Sequence, residues 1–144
     1  MERTAVNPVT WSVNLGFNQG ELVSGQTRTL YIAGQTATDD EGKPRHEGDM
    51  AAQLALSIDN LEAVLSEAGM SLANLVRLGV CTTDVDLLLR LGVCTTDVDL
   101  LLRHYGSLAG RLGAAGVAPA STVLGVTRLA LPGLLVELEG TAVA

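Results

Sequence analysis

The residue whose surroundings most suggest chemistry is Glu137. It lies in the run Leu134-Leu135-Val136-Glu137-Leu138-Glu139, which is apolar apart from its two carboxylates. In an extended chain, alternate side chains face opposite ways. Leu135, Glu137 and Glu139 therefore share one face, and Leu134, Val136 and Leu138 the other. A carboxylate buried without a partner is costly. Glu137 is thus either a solvated face position or a carboxylate kept for chemistry. The other reactive residue types are sparse. His46 sits in an acidic loop and His104 stands alone on a helical run, so neither is assigned a catalytic role. Cys81 and Cys94 give neither a disulfide framework nor a zinc spacing, and no metal or cofactor is expected.

The elements that would position Glu137 follow from pattern. Leu131-Pro132-Gly133 is a turn signal joining two strand-like runs, Pro119 to Ala130 and Leu134 to Ala144. Earlier, Trp11 to Phe17 alternates, and Glu21–Val23 and Thr29–Ala33 have strand character. From Asp49 the period changes: Met50, Leu54, Ile58, Leu61 and Leu65 recur at helical spacing. Asp49 is the expected N-cap of this helix and Gly69 its expected terminator. Gln53 and Asn60 on the same helix are read as packing amides rather than ligand contacts.

Leu78–Arg90 is repeated without change as Leu91–Arg103, a 13-residue tandem duplication. An odd insertion flips every later side chain of a strand, and in a helix it rotates the following face by about 220°. One copy is therefore expected to supply the strand and the helix start. The extra residues would then be looped out, or would awkwardly lengthen one element. Two short copies are too few for a solenoid.

Composition bounds the rest. The chain has 144 residues, the size of a single domain (1–144), with a formal net charge of −7 and one lysine, Lys43. Nucleic-acid binding depends on clustered Lys and Arg, so no nucleic-acid partner is expected. No apolar run at the start serves as a signal peptide, and none is long enough to span a bilayer. The expectation is a cytoplasmic protein with no membrane partner.

Pro119-Ala120 and Val136-Glu137-Leu138-Glu139, together with Gly16-Phe17-Asn18-Gln19 and Ala33-Gly34-Gln35, resemble the Rid family of reactive-intermediate deaminases, which also carries an endoribonuclease label. The resemblance covers nearly the whole chain. It implies an α+β, chorismate-mutase-like fold: a mixed sheet covered on one face by two helices, three copies forming a trimeric barrel. It further implies a homotrimer with a small-molecule ligand in clefts between subunits. Phe17, Gly34, Ser121 and Val123 would line that cleft, and Glu137 would handle the attacking water. The family's deaminating branch carries Arg at the Ser121 position, where it pairs with the carboxylate of a 2-imino acid, and often Cys at the Val123 position. Serine cannot form a bidentate pair. Arg128 and Arg28 are the candidate replacements. Two functions remain open, a hydrolase of imines or enamines that uses 2-imino acids poorly, and a non-catalytic trimeric metabolite-binding or regulatory protein. Ribonuclease action ranks last, because the charge is unfavourable.

Overall fold

The computed structural model describes residues 1–83 and 98–144, and side chains in all of these except 98–104. The chain forms β1 (Glu2–Val6), β2 (Gly20–Ser24), β3 (Thr29–Thr36), α1 (Met50–Glu67), β4 (Leu75–Thr82), α2 (Val98–Ala114), β5 (Ala120–Gly125) and β6 (Val136–Val143). Strands β3, β6, β4 and β5 make one sheet in that order, and β1 and β2 form a separate antiparallel ribbon. Only the β4–β5 pair is parallel, so the sheet is mixed. Two helices on a mixed sheet is the expected α+β architecture.

The helix α1 forms where the apolar spacing places it. Asp49 accepts a hydrogen bond from the Ala52 amide and caps the first turn. At the other end Gly69 takes φ +66°, Gly69 N–H bonds Ser66 O, and Met70 N–H bonds Leu65 O. This paired closure satisfies the last carbonyls. Met50, Leu54, Ile58, Leu61 and Leu65 are all buried, and with Leu108 and Leu112 of α2 they cover Leu78, Val80, Val136 and Leu138 of the sheet. Gln53 and Asn60 act as the packing amides expected. Gln53, fully buried, donates to Gly133 O at 2.7 Å and accepts from Leu135 N–H at 2.8 Å, fixing the turn into β6. Asn60 donates to the Thr36 and Thr38 carbonyls, fixing the end of β3.

The N-terminal segment differs from expectation. Residues 11–17 form no strand; Val13–Leu15 make a tight turn that ends at Gly16 with φ +83°. The pairing partner of β2 is instead Glu2–Val6. Its anchor is Arg3, which reaches Glu21, Ala73 O and Leu75 O and so ties the ribbon to the start of β4.

The duplication is divided between two elements. Strand β4 takes Leu78–Thr82 from the first copy, while α2 begins with Val98–Arg103 of the second. Residues 84–97, which complete the first copy and open the second, decide whether one copy supplies both strand and helix start, and they lie outside the described residues. Whether the extra residues are looped out lies outside the described residues. Among the described residues no helix is long and apolar enough to cross a membrane.

Because the copies are identical, deleting Leu91–Arg103 yields the same chain as deleting Val85–Asp97. The product joins the end of β4 to the start of α2 through Thr83 and Asp84 and leaves both elements intact. Loop closure costs little per added residue, so the shortened chain is expected to fold with a melting temperature equal to or modestly above the parent's. A deletion variant that fails to fold would show that both copies are built into the architecture.

Candidate functional site

One face of the sheet is covered by the helices and the other is open. On β6, Val136 and Leu138 are buried against the helices, while Glu137 and Glu139 point to the open face. Cys81 pairs across from Glu137, and Gly79 across from Glu139. Between Ile32 and Gln35 the β3–β6 register slips, so Ala33 and Gly34 together oppose Glu139. This is a bulge, a device that re-aims side chains at functional sites.

The bulge determines where Glu137 can lie. A Cβ on Gly34 would fall 1.6 Å from Glu137 Oε1 and 2.5 Å from its Cδ. The carboxylate therefore occupies the space that any other residue at 34 would fill. Glu139 lies over Gly79 in the same way, with a hypothetical Cβ 2.6 Å from its Cγ. The two acids differ in their partners. Glu139 pairs with Arg77 at 3.1 Å. Glu137, half-buried, makes no hydrogen bond or ion pair among the described residues. Glu139 is thus the structural acid and Glu137 the uncommitted one.

Cys81 is a residue that sequence reasoning did not place in the site. Desolvation raises its thiol pKa above the ordinary value, and the charges of Glu137 and then Glu139 raise it further. It also packs against a small apolar cluster of Ala37, Leu129 and Leu134. Beyond it, the end of β4 and the loop before β6 enclose a groove of about 250 Å³ lined by Thr83, Thr127, Arg128, Leu131 and Leu134, among others. Among the described residues no group of three or more His, Cys, Asp or Glu could hold a metal ion.

The remaining sequence candidates are not gathered around Glu137. Ser121 pairs in parallel with Leu78, and Val123 with Val80, so both lie on the helix side of the sheet. The Ser121 hydroxyl donates to Pro119 O at 2.9 Å and is hydrogen-bonded to Tyr105 of α2, whose own pKa is raised chiefly by burial. Val123 is partly exposed at the edge of the sheet. Phe17 stacks edge-on against Trp11, ring centroids 5.6 Å apart, beside the bridge from Asn18 to Ala120. Gly34 alone is brought onto Glu137. Of the two alternative arginines, Arg28 bonds Ala68 O at the far end of β3, whereas Arg128 lines the groove.

The thiol reports on this cluster. In a Cys94→Ser background Cys81 is the sole cysteine. Thiolate is the reactive form, so a raised pKa shifts the pH profile of iodoacetamide alkylation upward. Glu137→Gln removes a neighbouring negative charge and is expected to move that profile to lower pH, leaving the desolvation contribution in place. An unchanged profile would mean that Glu137 is not charged beside Cys81.

Comparison with known proteins follows this geometry. Residues 16–144 match the family described as Endoribonuclease L-PSP. No curated protein sequence matches the chain. Among solved structures it is similar to YyfB of Yersinia pestis, of the conserved Rid protein family, at 32% identity over 100% of both chains with a TM-score of 0.78. The YjgF gene product of E. coli shares the fold at 24% identity and a TM-score of 0.61, over 88% of this chain and 87% of that one. So does E. coli TdcF, solved with bound serine, at 22% identity and 0.61, over 89% and 87%. The chain belongs to the Endoribonuclease L-PSP family, that of the Rid and YjgF proteins.

Proposed function

We propose that the protein hydrolyses a small imine or enamine whose reacting carbon carries no carboxylate. The observation that carries this reading is the half-buried Glu137 carboxylate, held over bare Gly34 without a partner among the described residues. In the reaction Glu137 accepts a proton from a water as its oxygen bonds to the imine carbon. The C=N electron pair moves to nitrogen, which is protonated, giving a carbinolamine. Glu137 returns its proton to nitrogen, and as the C–N bond breaks the carbinolamine hydroxyl gives its proton to solvent, replacing the one nitrogen took up, so that amine or ammonia leaves and a carbonyl remains. An enamine enters the same sequence once carbon protonation has made it an imine.

The substrate restriction comes from Ser121. Its hydroxyl is engaged on the helix side, and it offers no guanidinium to a carboxylate. Charge-assisted bonds of that kind contribute about 1.5–3 kcal/mol each. At about 1.4 kcal/mol per decade, loss of a bidentate anchor lowers efficiency toward 2-imino acids by one to several powers of ten. The same engaged serine favours the second reading, a non-catalytic metabolite-binding protein. TdcF, which shares the fold, holds serine, a ligand of the size that either reading requires.

The assembly proposed is a homotrimer with its clefts between subunits. The open sheet face presents Tyr31 at 80% exposure and Leu124 at 53%, apolar area of the kind that oligomerisation covers. Sedimentation at micromolar concentration is expected to give the trimer mass, and a monomer there would remove the intersubunit cleft. The reaction is tested with freshly generated imines, one neutral and one 2-iminopropionate. The parent is expected to accelerate hydrolysis of the neutral imine and to act weakly on 2-iminopropionate, while Glu137→Gln lowers the neutral rate by about 10²–10⁴-fold, the range of a positioned base. Turnover that is absent, or unaffected by Glu137→Gln, selects the binding-protein reading.

A further inference from the structure

The groove at the end of β4 has no role in the reaction as written, yet its lining begins close to the Cys81–Glu137 pair. Thr83 lies just past the end of β4, two residues from Cys81. Its amide donates to Leu135 O, and Val126 N–H donates to Thr82 O, so the loop carrying Arg128 is sewn to the strand end. The groove holds about 250 Å³, the size of a small ligand fragment rather than a whole ligand. Its wall is mostly apolar, from Leu129, Leu131, Pro132 and Leu134, with Thr83, Thr127 and Arg128 as its polar groups. Arg128 forms no ion pair among the described residues, although the chain carries a formal net charge of −7. Glu47 packs over Gly133 but is not part of the lining.

We infer that this groove is a subsite for an anionic group at the far end of the substrate, bound by Arg128 with the hydroxyls of Thr83 and Thr127. Two residue rises separate Thr83 from the Cys81–Glu137 pair, roughly 6.6–6.8 Å along the strand. A carboxylate bonded directly to the reacting carbon cannot bridge that span. One carried several bonds away on a flexible apolar chain can, and its methylenes would lie against the leucines. The substrate class is therefore an imine with a remote carboxylate, which rests on the hydrolase reading above and explains how an anionic ligand is held without an arginine at position 121.

The test uses imines freshly formed from ammonia and three aldehydes: butanal, adipic semialdehyde and glyoxylate. Binding of hexanoate and hexanamide is measured separately by calorimetry. The parent is expected to show a KM at least tenfold lower for the adipic semialdehyde imine than for the butanal imine, with the glyoxylate imine used poorly. Arg128→Gln should raise the first KM at least tenfold, leave the butanal KM in place and leave kcat unchanged for both. Hexanoate should bind the parent at least tenfold more tightly than hexanamide, and Arg128→Gln should erase that difference. A variant whose two KM values move together, or not at all, overturns the subsite. If Glu137→Gln leaves turnover unchanged, the hydrolase reading fails, and the hexanoate comparison still decides the subsite: equal binding of acid and amide by the parent overturns it.

Discussion

Everything at this site depends on one steric constraint: Glu137 can lie where it does only because Gly34 has no side chain. Strand β6 is internal to the sheet, paired on both edges, so strict alternation commits one of its faces to the core. Val136 and Leu138 take that face. Glu137 is forced to the other, flanked by β3 on one side and β4 on the other. A regular β3 would present a side chain at this point. The bulge at Ala33-Gly34 instead delivers a bare backbone, and the carboxylate fills the space.

The rest of the structure holds that arrangement in place. Gln53 fixes the turn entering β6, and Asn60 fixes the end of β3, so one helix sets the relative position of the two strands that frame Glu137. Burial of these polar side-chain bonds is stabilising only because each group is satisfied. On the far side of β6, the Arg77–Glu139 pair neutralises the second carboxylate. Glu137 is thereby left without a partner among the described residues, across from Cys81.

Much of this was readable in the residues themselves. The helix α1, its Asp49 cap and Gly69 terminator follow from spacing and local backbone chemistry, and so does the alternation of β6. What could not be read depended on contacts distant in the chain. The attachment of the β1–β2 ribbon to the start of β4 uses Arg3 reaching residues 70 and 72 positions away. The side on which Ser121 falls is set by its parallel register with Leu78, which no local pattern contains. The site at Cys81 and Thr83 arises where a loop meets a strand end.

The most direct measurement of the central constraint is a double-mutant cycle in imine hydrolysis with Gly34→Ala and Glu137→Gln. The added methyl meets the far end of a flexible side chain rather than backbone, so Gly34→Ala should fold normally while displacing the carboxylate. The predicted result is a large loss of rate from either single substitution, with the double variant no slower than Glu137→Gln alone. Losses that multiply, or a Gly34→Ala protein with the parent's rate, would contradict the claim that Gly34 acts by making room for Glu137.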